Sequence, residues 1–236
     1  MTRPVVAIDG PAGAGKSSVT KRVAARLGYL LVDTGALYRV VALATQRGGV
    51  SWDDAVAVGI VARALVAESA IEIAGKGPGG FAIYLRGEDV SDAIREPSVS
   101  QGASKVSAVP QVREALLDMQ RKAGQNGGVV LEGRDIGTVV FPNAQAKFFL
   151  TASVDVRAKR RFDELIARGA RAELGEVKRE VVERDQRDST RPVAPLKQAG
   201  DAVVIDSSTL NIDEVVEQIV TRVRRVELEL LAQSGA

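Results

Sequence analysis

The sequence predicts an α/β protein in which a five-stranded parallel sheet carries helices on both faces. Five short apolar segments alternate with longer amphipathic ones along the 236 residues, a pattern typical of strand–helix–strand units with buried parallel strands. The chain is 45% hydrophobic but only 4% aromatic, so the core is expected to be mostly aliphatic. The predicted strands cover residues 5–8, 29–32, 129–131, 147–150 and 202–205.

The segments between these strands carry helix-start and helix-stop signals. One predicted helix ends just before Gly28, and the next begins after Thr34. Pro110 suits the first position of a later helix. The last predicted helix begins at Asn211, and Glu214 three residues later completes the spacing of a capping box.

Residues 70–90 interrupt this alternation. Residues 71–73 and 81–85 have the composition of strands around a glycine-rich stretch at 75–80, and residues 86–89 have that of a tight turn. We therefore expect a small antiparallel sheet of three strands, inserted between two helical stretches and lying over the ligand end of the main sheet. Periodicity alone leaves open whether it serves substrate binding or packing.

Composition excludes several classes of chemistry. The net charge is +2, from 32 basic and 30 acidic residues, which argues against bulk binding of nucleic acid or membranes. Cysteine and histidine are both absent, so disulfides, thiolate zinc sites and imidazole bases are excluded. With no apolar run of 18 residues and no secretory leader at the start, we expect a soluble cytoplasmic protein. We also expect it to act as a monomer.

Residues 10–17 carry the most specific motif. Their sequence, GPAGAGKS, satisfies GxxxxGK[ST] between an apolar strand and a predicted helix. Glycines let backbone N–H groups point inward, and a helix N-terminus favours anions, so a phosphate site is expected rather than a simple glycine-rich turn. Lys16 would supply positive charge to the outer phosphates and Ser17 a hydroxyl for Mg²⁺. The segment consists of Gly10, Pro11, Ala12, Gly13, Ala14, Gly15, Lys16 and Ser17.

A second anion site is predicted where the second strand gives way to a helix. Asp33 or Thr34 is a suitable N-cap, and Arg39 lies further along the first turns of the same helix. Taken alone, these residues also fit an ordinary cap with a surface arginine. Beside a phosphate-binding loop, they are a candidate site for the phosphate of an acceptor.

The segment EGRDIGT at residues 132–138 follows the third predicted strand directly. Ligands of open parallel sheets bind beyond the carboxyl ends of the strands, so Arg134 and Asp135 are candidate site residues. The alternative is a buried structural Arg–Asp pair.

Residues 155–191 interleave basic and acidic residues with few apolar anchors. Such a stretch is usually a solvated charged surface, but here it also fits a helical hairpin that acts as a mobile lid. Arg184, Arg187, Asp188 and Arg191 have the spacing of one helix face, and Pro192 would end that helix. Arginines on this face could close over phosphates.

Ser104 and Arg113 give a weaker signal. Ser104 lies near the end of one predicted helix and Arg113 in the first turn of the next. On pattern alone, exposed polar residues are the preferred interpretation.

Four motifs together resemble the bacterial cytidylate kinases. They are GPAGAGKS, DTGALYR at residues 33–39, GRDIGTVVFP at 133–142 and ERDQRDSTRPVAPL at 183–196. Their order and spacing match over almost the whole chain, and the last three in combination are specific. The resemblance implies a three-layer P-loop kinase fold: one domain over residues 1–236, with a monophosphate-binding region at about 34–128 and a lid at about 155–192. It also implies transfer of a phosphate from ATP to CMP or dCMP with Mg²⁺.

The resemblance assigns roles residue by residue. Residues 10–18, which end at Ser18, would hold the ATP phosphates, with Arg157 near the adenine and Arg161 near the transferred phosphate. The residues implied for CMP are Thr34, Arg39, Arg134 and Arg191 at its phosphate, Ser104, Arg113 and Asp135 at cytosine, Arg184 and Asp188 at the sugar, and Tyr38 in the same pocket. The residues implied for phosphoryl transfer are Lys16, Arg134, Arg184 and Arg191.

The base assignment is chemically consistent. A carboxylate such as Asp135 accepts from the cytosine amino group, and Arg113 donates to the acceptor side. Uracil would leave a polar group unpaired, at roughly 1–3 kcal/mol. The rival interpretations are a kinase of UMP, AMP or a non-nucleotide alcohol, a nucleotide-dependent switch, and a nucleic-acid-dependent ATPase. No NKxD segment supports a guanine-specific switch, and the charge balance and few aromatics count against the ATPase.

Overall fold

The computed structural model describes residues 3–75 and 80–234. Its main sheet has five parallel strands in the order β2-β6-β1-β7-β8, which confirms all five predicted strands. The register places Asp9 of β1 beside Gly133 of β6, so the carboxyl ends of neighbouring strands meet at one edge. Among the described residues the strands are β1 (Val5–Asp9), β2 (Leu30–Asp33), β3 (Ile71–Gly75), β4 (Phe81–Leu85), β5 (Glu88–Asp89), β6 (Val129–Gly133), β7 (Ala146–Thr151) and β8 (Val203–Asp206).

Helices cover both faces of this sheet. α1 (Lys16–Leu27) and α8 (Ile212–Ser234) pack together on one face, over a mostly aliphatic core that includes Ile8 and Phe148. α5 (Pro110–Gly124) and a π-helical turn over Ile136–Val140 cover part of the other face. The predicted capping box before α8 is confirmed, because Asn211 and Glu214 each accept the other's backbone N–H, at 3.0 and 2.8 Å.

The predicted insertion is a three-stranded antiparallel sheet in the order β3-β4-β5. It packs with α5 and with α2 (Thr34–Arg47), α3 (Ala55–Ala67) and α4 (Pro97–Val106) around a separate apolar cluster. The predicted turn at 86–89 is wrong in its extent: Arg86 and Gly87 make the turn, with φ of 50° and 82°, whereas Glu88 and Asp89 form β5. Most of the glycine-rich stretch predicted at 75–80 lies outside the described residues.

Residues 155–191 form the predicted helical hairpin, made of α6 (Val154–Ala167) and α7 (Leu174–Thr190). One detail of the prediction is wrong. Arg191 is not on the helix but caps it with extended backbone (ψ 142°), since a residue before proline disfavours the helical conformation. Within the parts of the chain that the structure describes, no helix is long and apolar enough to cross a membrane.

Candidate active site

A cleft of about 1180 Å³ opens at the carboxyl edge of the main sheet, where the strand order predicted a ligand. The loop before α1 and the start of α2 form one part of its wall. The end of β6, helix α4 and the lid hairpin form the rest. All the segments singled out by sequence therefore reach one cavity.

The loop before α1 has the geometry of an anion site. Gly13 and Gly15 adopt positive φ of 76° and 89°, which non-glycine residues rarely tolerate. Lys16 Nζ donates to the carbonyl oxygens of Gly10 and Pro11, both at 2.7 Å, so its ammonium is held against the loop. Burial, reinforced by nearby Arg134, lowers the pKa of Lys16. A bound anion would compensate for both effects.

Residues 12–18 line the cleft, whereas Gly10 and Pro11 lie behind it. Gly10 allows the loop to pack closely against β7, because a Cβ at this position would lie 2.0 Å from the carbonyl oxygen of Leu150. The glycine thus allows the loop to leave β1 tightly against its neighbour.

Glu132 and Ser17 face each other across the cleft floor. Ser17 Oγ donates to Glu132 Oε2 at 3.1 Å, and the Glu132 carbonyl accepts from Thr34 Oγ1 at 2.8 Å. Burial, together with nearby Asp33, raises the pKa of Glu132 to about 7. Of the two predicted N-cap candidates, Asp33 caps α2, accepting from Ala36 N at 3.2 Å, and Thr34 is the first helical residue.

A cluster of arginines lines the same cleft as Lys16. Arg39 pairs with Asp33 at 3.1 Å, and Arg134 pairs with Asp188 of α7 at 2.9 Å. Arg184 differs from both, because its buried Nε has no hydrogen-bond partner among the described residues. Burial and the charge of Arg134 lower the pKa of Arg184 to about 10. This group of cations has too few anions, which is the condition of a site built for a phosphate.

A second set of buried charges lies at the other end of the cleft. Asp135 accepts from Arg113 with one carboxylate oxygen and from Arg191 with the other, the latter at 3.2 Å. Asp135 therefore pairs with these two arginines. A simple structural pair of the adjacent Arg134 and Asp135 is not formed. The guanidinium of Arg113 lies 5.2 Å from the ring centre of buried Tyr38. This end of the cleft suits a planar polar group.

The sequence pattern was wrong about Ser104 and Arg113. Both are buried, at 3% and 6% exposure, rather than exposed polar residues. Their burial comes from the packing of α4 and α5 against each other's ends and against the lid, which no local pattern reports.

The comparisons with known proteins decide the family. The profile described as Cytidylate kinase matches residues 6–225. A "Cytidylate kinase" from Geobacter sp. (strain M21) is 52% identical over 229 residues, covering 97% of this chain and 94% of the relative. Another, from Citrifermentans bemidjiense, is 51% identical and covers the same shares. The chain belongs to the cytidylate kinase family.

A solved structure agrees at the level of fold. An uncharacterized protein from Eubacterium ventriosum superposes with a TM-score of 0.50 at 13% identity, over 94% of this chain and 99% of that one. The P-loop, the arginine cluster and the Asp135 pocket thus lie in a member of the cytidylate kinase family.

For three residues of the cleft, the sequence did not predict the contacts that the structure shows, although Arg187 was predicted to lie on the phosphate-facing side of the lid. Arg187 donates to Ser104 Oγ at 2.7 Å, joining the lid to α4. Arg160 donates to the carbonyl oxygen of Ser207 at 2.7 Å, near the P-loop. Glu132 lies beneath Ser17. Two of these residues had a signal in the sequence: Arg187 lies three residues after Arg184, and Glu132 directly follows the third predicted strand. Nothing local distinguished Arg160.

Arg157 is not where the resemblance implied. It is 4% exposed and does not line the cleft, in contrast to Arg160 and Arg161. Its guanidinium is engaged by backbone carbonyls and by Asp185 instead. This placement does not support a contact between Arg157 and adenine.

Proposed function

We propose that this member of the cytidylate kinase family transfers the γ-phosphate of ATP to CMP or dCMP, giving ADP and CDP or dCDP. Family membership makes the chain an ATP-dependent phosphotransferase. One observation supports the proposal most: a single cleft is lined both by the P-loop and by an arginine cluster that includes Arg184, whose buried Nε has no hydrogen-bond partner among the described residues. Two anion sites in one cleft suit a donor and an acceptor phosphate.

The acceptor phosphate is proposed to bind between α2 and the lid. Thr34 lies at the N-terminus of α2, where the helix dipole favours an anion. Arg39, Arg134 and Arg191 would supply the positive charge there, with Arg184 between the two phosphates. Asp188 holds Arg134 in place and is available to the sugar.

The base is proposed to bind at the Asp135 pocket. Asp135 would accept from the amino group of cytosine, and Arg113 would donate to the ring acceptors. Their mutual pairing keeps both side chains in a fixed orientation before the base arrives. Ser104 and Tyr38 complete the walls of this pocket.

In the proposed mechanism, an oxygen of the CMP phosphate attacks the γ-phosphorus of ATP in line with the bond to the β–γ bridging oxygen. The new P–O bond forms as the bridging bond breaks, and ADP leaves. Because the nucleophile is already anionic, no general base is needed, which suits a chain without histidine. Lys16, Arg134, Arg184 and Arg191 offset the repulsion between the two polyanions and stabilise the transferring group, and Arg161 lies close by on the lid.

The residues near the P-loop fit Mg²⁺. The hydroxyl of Ser17 and the carboxylate of Glu132 are oxygen donors of the kind that Mg²⁺ prefers. Within the described residues no group of three or more acidic side chains gathers around a point, so substrate phosphates would have to supply further ligands. Bound there, Mg²⁺ would neutralise charge on the phosphates. A cation would also keep Glu132 ionised despite its raised pKa.

The chain is proposed to work as a single-domain cytoplasmic monomer. Its monophosphate-binding region would span about 34–128 and its lid about 155–192. The lid already contacts both substrate regions, through Arg187 with Ser104 and through Asp188 with Arg134. Closure of this hairpin would exclude water from the transfer.

Coupled ADP release with single acceptors tests the proposal. CMP and dCMP should each support turnover well above that with UMP, AMP or shikimate, because only cytosine presents an amino donor to Asp135 together with a ring nitrogen and a carbonyl oxygen as acceptors for Arg113. Preference for UMP, AMP or shikimate would identify another kinase on the same fold. ADP release that depends on added RNA and not on an acceptor would point to the ATPase alternative.

A further inference from the structure

Arg157 joins three parts of the molecule although it lies outside the cleft. Its Nε donates to the carbonyl of Ala152, just after β7, at 2.9 Å, and its Nη1 donates to the carbonyl of Ala12 in the P-loop at 3.2 Å. The same Nη1 lies 2.7 Å from Asp185 Oδ2 of α7. One buried guanidinium on helix α6 of the lid therefore connects the end of β7, the P-loop and helix α7.

The P-loop packs directly on the turn that carries Arg157. A Cβ on Gly13 would lie 2.9 Å from the carbonyl oxygen of Arg157 and 3.0 Å from its Cβ. The conformation of the loop around Gly13 therefore depends on the position of α6. Displacement of this helix would disturb the groups proposed to hold the ATP phosphates.

Asp185 belongs to the stretch of α7 that carries the phosphate-facing groups. It is preceded by the unpartnered Arg184 and followed, one turn later, by Asp188, which orients Arg134. Asp185 Oδ1 is buried without a hydrogen-bond partner, so Arg157 engages only one carboxylate oxygen. A pair that served stability alone would gain from the two parallel hydrogen bonds of a bidentate contact. The single contact suits a connection that positions α7.

We propose that Arg157 and Asp185 form a positioning pair that fixes the lid arginine Arg184 relative to the P-loop. The proposal rests on the proposed function. With the pair intact, Arg184 and the P-loop hold one γ-phosphate between them. Without it, both sites persist but their mutual position is no longer set. Misplacement by about 1 Å is enough to reduce turnover by around a hundredfold.

Loss of positioning has a second consequence that a stability role lacks. A lid that no longer seats on the P-loop admits water, whose oxygen can bond to the γ-phosphorus as the bridging P–O bond breaks. ADP and inorganic phosphate then form, with release of one proton, and no CDP is made. The ratio of inorganic phosphate to CDP therefore reports the position of the lid.

The experiment compares R157K, R157A and D185N with the double variant R157A/D185N in the full chain. Lysine keeps the charge of Arg157 but cannot reach three partners at once, and asparagine keeps the shape of Asp185 without its charge. D163N is the matched control, since Asp163 pairs with Lys159 on the exposed side of α6. Each protein is assayed for kcat, for KM with ATP and with CMP, and for phosphate and CDP release, below its unfolding midpoint.

The proposal expects R157A and D185N to lose kcat by similar factors, between about ten- and a hundredfold, with KM for CMP within about twofold of wild type. The double variant should lose no more than the worse single one. The ratio of phosphate to CDP should rise several-fold in all of these and stay unchanged in D163N. If R157A does not fold, the same comparison of kcat, KM and the phosphate-to-CDP ratio is made with R157K and D185N.

Two results would overturn the proposal. A raised KM for ATP in R157A and R157K with wild-type behaviour of D185N would assign Arg157 to the adenine. A lowered unfolding midpoint with unchanged kcat and unchanged phosphate-to-CDP ratio would leave the pair a purely structural role. A wild-type protein that makes no CDP from ATP and CMP would instead contradict the proposed function.

Discussion

Arg184 and its neighbours divide the buried charges of the cleft into two groups. Arg134 and Arg113 each have a carboxylate partner, Asp188 and Asp135 respectively, and are held in place before any ligand arrives. Arg184 has none at its buried Nε, and nearby cations make its charged state less favourable. Binding of a phosphate would offset the unfavourable free energy of this unpaired buried charge.

The first prediction concerns Arg184→Met. Methionine keeps the apolar stem and removes the repulsive charge, so the unfolding midpoint should stay the same or rise. Turnover of CMP should fall by about 10²–10³-fold, the loss typical for a group that stabilises transition-state charge. Thermal unfolding and coupled ADP release measure the two quantities, with Arg179→Met on the exposed side of the same helix as control. A clearly lowered midpoint would show that Arg184 stabilises the fold.

A second prediction uses the pKa of Glu132. Burial raises it to about 7 in the folded protein, against 4.5 for the free side chain. The folded state keeps this proton up to about pH 7, whereas the unfolded chain releases it near 4.5. The stability that the proton contributes is therefore complete below pH 4.5 and is lost as the pH rises through 7.

Glu132→Gln removes this titration. In urea unfolding without ligand or magnesium, the stability of wild type relative to E132Q should fall between pH 5 and pH 8, by up to about 3 kcal/mol. The titration of Lys16 changes this stability difference in the same direction. In E132Q the charge of Glu132 is gone, so the pKa of Lys16 is lowered further than in wild type. Asp9 is common to both proteins, so its raised pKa largely cancels. A difference that is constant or grows with pH would contradict the assignment.

Among the individual residues of the cleft, the sequence predicted contacts between residues that are adjacent in the chain and missed contacts that depend on packing. The P-loop could be recognised because its glycines, Lys16 and Ser17 are adjacent in the chain. Burial of Ser104 and Arg113 follows from contacts across α4, α5 and the lid. The engagement of Arg157 with Ala12 and Asp185 likewise joins residues far apart in sequence.

Helix α4 shows what an element needs in order to bring a side chain to the cleft. It packs on α2 and on Trp52, whose Nε1 donates to the carbonyl of Ala42 at 2.9 Å. A Cβ at Gly102 would lie within 2.4–2.8 Å of the Trp52 ring. The glycine therefore sets how closely α4 approaches, and with it the position of Ser104. The helix could be anticipated from sequence as part of a helical stretch, but its distance from α2 could not.

Gly102→Ala should consequently destabilise the protein. The added methyl group forces the ring or the helix to move, at a cost of about 1–3 kcal/mol. Gly175→Ala in the exposed first turn of α7 is the matched control, since its Cβ would meet nothing closer than 3.8 Å. There the better helix propensity of alanine should stabilise by up to about 1 kcal/mol. Equal effects of the two substitutions in urea unfolding would show that Trp52 yields without cost.

In the part of the chain that the structure describes, three buried apolar clusters share helices and strands. One surrounds α2, α3, α4 and the small sheet, and two lie on the faces of the main sheet. Helix α5 contributes Leu116 to the first cluster and Leu117 to the third. Phe81 of the small sheet packs against both the first and the second. The alternation of strands and helices predicted the layers, but not this sharing, which is set by long-range packing.

Shared elements should make the insertion and the sheet unfold together, as expected of one domain. Trp52 is the single tryptophan and lies against the first cluster, so its fluorescence reports the insertion, whereas far-UV ellipticity reports all the helices and strands. In urea, the two signals should give one midpoint. ATP at about a hundred times its Kd should raise the free energy of unfolding by about 2.7 kcal/mol, and the two signals should report the same increase although the P-loop lies outside the first cluster. If fluorescence changed at lower urea than ellipticity, or if ATP moved the ellipticity alone, the insertion would be a separate unit, and the single-domain prediction would be wrong.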